Sequence, residues 1–231
     1  MKRRVHASVI AVWAALIATA NLFPTIPIAF TGGTFSLAAA LIPLAGVFFG
    51  PVSGALCAAI GQVIGQFIAP HIAWLGPWTF IVGTTNALVA GLVSRGRGLL
   101  ASLPILAGWG LWYTTAIGRA AAVFPAVFYS LGLVAVVLGS TIMKGAIRSD
   151  NPLASGAGIW LASFAGFVGA AAVGNYIGIL LLRIPAQVWK VLTFVAPVER
   201  SVFSLGAAII GYALIRGLER VGVSVGPEEE D

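Results

Sequence analysis

The sequence predicts an all-α fold, a polytopic bundle of about eight transmembrane helices, and three observations predict it. First, 59% of the 231 residues are hydrophobic and 9% are charged, with a mean hydropathy of +1.02; a water-soluble fold of this length has no core large enough to hide them. Second, Ala, Leu, Val, Ile and Gly occur in long unbroken runs. Lipid offers the backbone no hydrogen-bond partners, so spans must be helices or a closed barrel, and unbroken runs exclude the alternation of barrel strands. Third, the basic residues stand at the ends of these runs, where they set orientation.

Eight apolar segments are read in order: 7–23, 35–49, 52–69, 78–93, 99–118, 121–143, 156–182 and 202–215. Several fall short of the roughly 20 residues that a perpendicular span prefers, which implies tilt or extension into the flanking loops. Lys2-Arg3-Arg4 before the first run has the outline of a secretory signal. The run continues without a small-residue cleavage site, so it is expected to remain as the first span. Gly50-Pro51 leaves room only for a tight turn and makes the second and third segments an antiparallel hairpin. Loop 70–77 carries Trp74 just ahead of Trp78 at the outer boundary, and 183–200, with Trp189 and Lys190 among apolar residues, reads as an interfacial helix or a lid on the outer face. The tail 224–231, ending Glu228-Glu229-Glu230-Asp231, is expected to be a disordered acidic end of a single transmembrane domain spanning 1–231.

A cytoplasmic amino terminus puts Lys2, Arg3, Arg4, Arg95, Arg97, Lys144, Arg148, Arg216 and Arg220 inside, against Arg119, Arg183, Lys190 and Arg200 outside. This bias supports eight spans in the cell membrane with both termini cytoplasmic. The net charge of +6 is scattered over span ends and forms no aromatic-interleaved patch, so nucleic acid is not an expected partner. One cysteine, Cys57, cannot build a disulfide framework or a cysteine metal site. No metal and no cofactor are expected.

Two rows of small residues mark close helix packing. Ala7, Ala11 and Ala15 repeat at four-residue spacing on the first span, with Ala14 and Ala18 beside them; Gly46, Gly50, Gly54 and Ala58, followed by Gly61 and Gly65, run through the hairpin. Together with the stretch from Leu41 to Gln66, the segment Asn86-Ala-Leu-Val-Ala-Gly91 and the pair Asn175-Tyr176, these rows resemble the substrate-binding S components of energy-coupling factor (ECF) transporters, which take up vitamins and related micronutrients. The resemblance implies that Ala7, Ala11 and Ala15 dock a transmembrane coupling subunit tied to cytoplasmic ATPases, and that the body topples in the bilayer during transport. It also implies a six-span core, from which residues 99–148 depart as an additional helical hairpin.

The polar inventory is compatible with this. Asp, Glu, Lys and His are missing from the middle of every segment, whereas ion-driven carriers hold such groups at midplane. The outer half instead carries amides and aromatics: Asn21, Gln66, Trp74, Trp78, Trp112, Tyr113, Tyr129, Asn175, Tyr176 and Trp189. Rings stack on Trp and Tyr, and amides pair with a heterocycle's edge; each residue alone reads equally as an interface anchor or an interhelical hydrogen bond. Arg119 could hold an acidic group, as could the Glu199-Arg200 pair, or they are solvated boundary charges. The candidate substrate-binding residues are therefore Asn21, Gln66, Trp78, Asn86, Trp112, Tyr113, Arg119, Asn175 and Tyr176, with a small-molecule substrate and the lipid bilayer as further partners.

Other classes fit less well. Ser53 and His71 are expected at opposite membrane faces, so they form no nucleophile–base pair, and no catalytic residue is assigned. The chain also has no Gly-x-x-x-x-Gly-Lys-Ser/Thr loop with which to hold nucleotide itself. A stand-alone carrier for a small neutral solute, or a structural membrane protein, remain as alternatives.

Overall fold

A computed structural model of the protein describes residues 5–28, 33–142 and 145–221. Lys2, Arg3, Arg4, Lys144 and the acidic tail lie outside the described residues. The first helix, α1 (Ala7–Ala20), stops short of Pro24 and leads into a two-stranded antiparallel hairpin, β1 (Pro24–Pro27) and β2 (Thr34–Ser36), in which Pro24 faces Ser36 and Pro27 faces Thr34. Helix α2 (Ala38–Phe49) then turns at Gly50 into α3 (Pro51–Ile68). Gly50 has φ 92°, a left-handed value that side chains disfavour, and Pro51 supplies the preset φ of a first helical residue.

The glycine row works as expected. A Cβ on Gly46 would run into the Ala87 carbonyl, and one on Gly91 would come within 2.7 Å of Pro51. These contacts bring α2, α3 and α4 (Thr79–Ser94) to backbone contact. At the turn, Arg95 Nη1 donates to the Gly46 carbonyl at 3.1 Å, which also accepts from Gly50 N at 2.9 Å, and to the Val47 carbonyl in the last turn of α2 at 3.4 Å.

The chain continues through α5 (Gly98–Trp112), the short α6 (Ala116–Ala120), α7 (Val123–Thr141), α8 (Pro152–Leu182) and α9 (Ala186–Arg220). Asn151 caps α8 by accepting from Leu153 N at 2.9 Å. Helix α8 is the axis of the bundle, packed against α4, α5, α7 and α9, while α1 packs on α3 and α2. Residues 99–148 thus lie against α8 and α4 within one bundle. Their inner ends are apolar, and Trp112, Phe124, Phe128, Tyr129 and Trp189 form a buried aromatic cluster with neighbouring centroids 4.9–6.3 Å apart.

Among the described residues, five stretches are long and apolar enough to cross a membrane: Pro51–Ile68, Gly76–Ser94, Val123–Thr141, Pro152–Leu182 and Ala186–Arg220, accompanied by shorter apolar helices at Ala7–Ala20, Ala38–Phe49 and Gly98–Trp112. This is a multi-pass membrane bundle. At about 1.5 Å per residue, the 12 residues of α2 reach only about 18 Å of a hydrocarbon layer about 30 Å thick. The β hairpin stands where its missing turns would be, and strand pairing satisfies backbone groups there that lipid would not.

Two boundaries differ from the sequence expectation. The fifth segment ends at Trp112 rather than 118, because Trp112 Nε1 donates to the Gly118 carbonyl at 2.8 Å across a turn. The stretch 183–200 forms no separate lid: only residues as far as Pro185 make a turn, with Arg183 at φ 49°, and 186–200 is the first half of α9. Pro197 sits inside that helix without ending it, and Trp160 Nε1 donates to the Ser201 carbonyl at 3.2 Å, one turn beyond the proline. Glu199 and Arg200 therefore stand within a continuous helix rather than at its outer end. Arg200 precedes Arg216 by 16 residues, about 24 Å along the axis, less than the thickness of the hydrocarbon layer.

Candidate functional site

The short α1 and α2 leave a hollow at one end of the bundle, which the β hairpin covers. Beneath it lies a cavity of about 90 Å3. Thr34, Phe35 and Ser36 come from the hairpin, Gln62 from α3, Asn86 and Gly83 from α4, Phe167 and Asn175 from α8, and Arg200 from α9; Trp74 and Thr79 close the side. Three amides thus converge from three helices. Gln62 has room because Gly83 opposite has no side chain: a Cβ there would stand 2.8 Å from Gln62 Cγ.

Several polar atoms here are buried and unsatisfied. Asn86 Oδ1 and Thr34 Oγ1 have no hydrogen-bond partner among the described residues, nor does Asn21 Nδ2 just below the hairpin. A buried polar atom without a partner costs about 1–3 kcal/mol, so such atoms gathered round one cavity are groups that a ligand can satisfy. Asn175, Thr79 and Ser36 are held. Asn175 Nδ2 donates to Tyr129 Oη at 3.5 Å, Thr79 Oγ1 donates to the Gly76 carbonyl at 3.0 Å, and Ser36 Oγ donates to Asn21 Oδ1 at 2.7 Å.

Phe35 joins the hairpin to the helices. Its ring lies 4.4 Å from the Arg200 guanidinium carbon and 5.0 Å from the Phe203 ring, which in turn lies 5.9 Å from Phe167. Arg200 Nη1 donates to Glu199 Oε2 at 3.1 Å. Aromatic faces on two sides and a cationic edge can sandwich a flat ring and donate to its carbonyls.

Trp74 and Arg200, both noted in the sequence, line the cavity; of the nine candidate substrate-binding residues, Asn86 and Asn175 line it and Asn21 sits under the hairpin, bonded to Ser36. The rest lie apart from it. Gln66 bridges to the next segment once its amide is assigned with the nitrogen toward the Gly76 carbonyl (2.9 Å) and the oxygen toward Phe80 N (3.3 Å), the orientation that satisfies both groups. Trp78 is half exposed, Trp112 is sealed in the aromatic cluster, and Tyr113 Oη donates to the Ala122 carbonyl at 3.3 Å. Arg119 is exposed and donates to the Tyr113 and Thr114 carbonyls at 3.0 and 3.3 Å, so it closes a loop. Tyr176 is half-buried on α8 beside Asn175 and does not line the cavity.

Gln62, Thr34, Phe35, Ser36, Thr79 and Phe167 line the cavity without being among the residues that the sequence singles out. One signal was available for Gln62: it stands four residues before Gln66, on the same face one turn deeper. The hairpin residues gave no such signal, since an apolar flank of a span and a strand look alike over three residues.

On α1, Ala7, Ala11 and Ala15 are exposed on the outside of the bundle, while Trp13, Ala14, Ile17 and Ala18 are buried. A Cβ on Gly61 would come within 2.8 Å of the Ala14 carbonyl, so this inner row is the one that packs on α3.

Residues 4–103 match the family described as ECF-type riboflavin transporter, S component. The resemblance read from the sequence holds over that stretch, which contains α1 to α4, the hairpin and the alanine row. A stretch of 147 residues is 24% identical to an uncharacterized protein of Methanocaldococcus jannaschii, covering 64% of this chain and 49% of that protein, so the match spans about half of the relative's length. No solved structure matches.

Proposed function

We propose, from the S-component likeness of residues 4–103, that this protein is the substrate-capture subunit of an ATP-driven ECF-type importer, binding a vitamin or a related small heterocycle beneath the β hairpin. The observation that carries the proposal is the convergence of Gln62, Asn86 and Asn175 on a covered cavity whose Asn86 and Thr34 oxygens have no partner among the described residues. Amides paired with aromatic walls suit a flat ring with donors and acceptors on its edge. At about 90 Å3 the cavity is narrower than the roughly 300–1,000 Å3 of drug-sized sites, so binding requires the hairpin to yield.

The alanine row offers the second half of the reading. A lipid-facing row of small residues lets another helix approach closely, and here Ala7, Ala11 and Ala15 turn outward. They would dock a coupling subunit carrying cytoplasmic ATPases, where hydrolysis occurs. Both termini lie in the cytoplasm and the cavity opens outward in this reading.

The family description makes riboflavin the first ligand to try. Protein purified in mild detergent is titrated with riboflavin by flavin fluorescence and examined by native mass spectrometry for a retained molecule. Stoichiometric binding of riboflavin or another vitamin is expected. A folded protein that stays empty through a vitamin panel would overturn the proposal.

A further inference from the structure

We infer that Glu199 sets the charge class of the ligand: by neutralising Arg200 it makes the cavity a site for an uncharged molecule that presents carbonyl or hydroxyl oxygens to the guanidinium. This inference rests on the capture reading above and narrows it.

Among the described residues lining the cavity, Arg200 is the one that is charged. A guanidinium only donates, so it selects an acceptor on the ligand and opposes a cation. Phe35 covers one of its faces, Nη1 donates to Glu199, and the side chain lines the cavity. Both members of the pair are largely buried, Arg200 at 15% and Glu199 at 16% side-chain exposure, within a helix that crosses the membrane. A lone charge at that depth is expensive, and so is a pair that has lost one member.

Charge counting then decides the class. With Glu199 ionised the pair sums to zero, and a neutral acceptor keeps it there. An anionic ligand would leave one uncompensated negative charge in a cavity whose lining offers no second cation. Glu199 itself does not line the cavity, so it acts on the ligand through Arg200 and through its charge. Replacing it with glutamine keeps the shape, leaves the guanidinium unneutralised, and turns the site toward anions.

The test compares riboflavin with riboflavin 5′-phosphate, two probes that differ by a phosphate, on the purified protein. The unsubstituted protein is expected to prefer riboflavin by at least about tenfold, and Glu199→Gln is expected to shrink or invert that preference by about another tenfold. The double variant Glu199→Gln/Arg200→Gln removes both charges and is expected to recover the preference for riboflavin at lower affinity. Equal affinity for both probes in the unsubstituted protein, or an unchanged preference in folded Glu199→Gln, would overturn the inference and leave the site standing. Binding of neither flavin would overturn the reading of the site, and this inference with it. Should Glu199→Gln fail to fold, the unsubstituted protein's preference decides alone.

Discussion

At the scale of the residue, the cavity is defined by side chains that the folded protein leaves short of partners. Asn86 is almost completely buried in the middle of α4, and its Oδ1 has no partner among the described residues. Asn86→Ala removes an unsatisfied group, so the stability of the ligand-free protein should change by less than about 1 kcal/mol, because the packing lost and the desolvation relieved oppose each other. Ligand affinity should nevertheless fall about tenfold or more, about 1.4 kcal/mol. Thermal denaturation and a binding titration on the same preparation check both halves; a large loss of stability with unchanged affinity would make Asn86 a packing residue. Asn86 and Asn175 were legible in the sequence because an amide inside an apolar run is costly enough to draw notice. Arg119 stood out instead as a boundary charge that could hold an acidic group, and it lies elsewhere, bonded to its own loop. Arg200 was read as a boundary charge because the last span was expected to begin after it, and no local pattern marks how deep a basic residue sits once a helix runs on through a proline.

At the scale of the element, length proved harder to read than existence. All eight apolar runs are helices, since a long apolar run in lipid has no other way to satisfy its backbone. The β hairpin is not expected from the sequence, β1 falling in the connection after the first run and β2 overlapping only the start of the second, and the stretch read as an interfacial helix or a lid is mostly the first half of α9, because amphipathic sequence at a membrane surface is compatible with several conformations. Two predictions belong to these elements. The hairpin is fastened by Phe35 against Arg200 and Phe203; Phe35→Ala removes that contact and should speed ligand release about tenfold, with association changed less, as stopped-flow fluorescence would resolve. An unchanged release rate would show that the hairpin is not the barrier. Helix α1 presents Ala7, Ala11 and Ala15 outward, and Ala11→Trp or Ala15→Trp adds bulk where a partner helix must approach. Uptake in cells containing the coupling module should be abolished while binding by the purified protein is retained. Equal loss of both would remove the docking assignment.

At the scale of the whole molecule, function depends on which way up the bundle sits. The hairpin, the cavity and the turns around Trp74 and Arg119 share one end; Gly50, Arg95, Arg148 and Arg216 share the other. By the positive-inside rule the excess of basic residues at the second end is expected at the cytoplasmic face, and the proposed importer requires that orientation, with the cavity turned outward to capture substrate. The chain is well suited to a direct test, because its one cysteine, Cys57, is completely buried. Single cysteines introduced as Ala120→Cys and Gly145→Cys occupy exposed positions at opposite ends. A membrane-impermeant maleimide should label Ala120→Cys in intact cells and Gly145→Cys only after permeabilisation, with the unsubstituted protein unlabelled in both. The reverse pattern would place the cavity on the cytoplasmic side. A capture subunit facing inward cannot collect an external nutrient, so that outcome would discard the importer reading even if a vitamin were found bound, and would leave export or intracellular sensing as the roles such a cavity could serve.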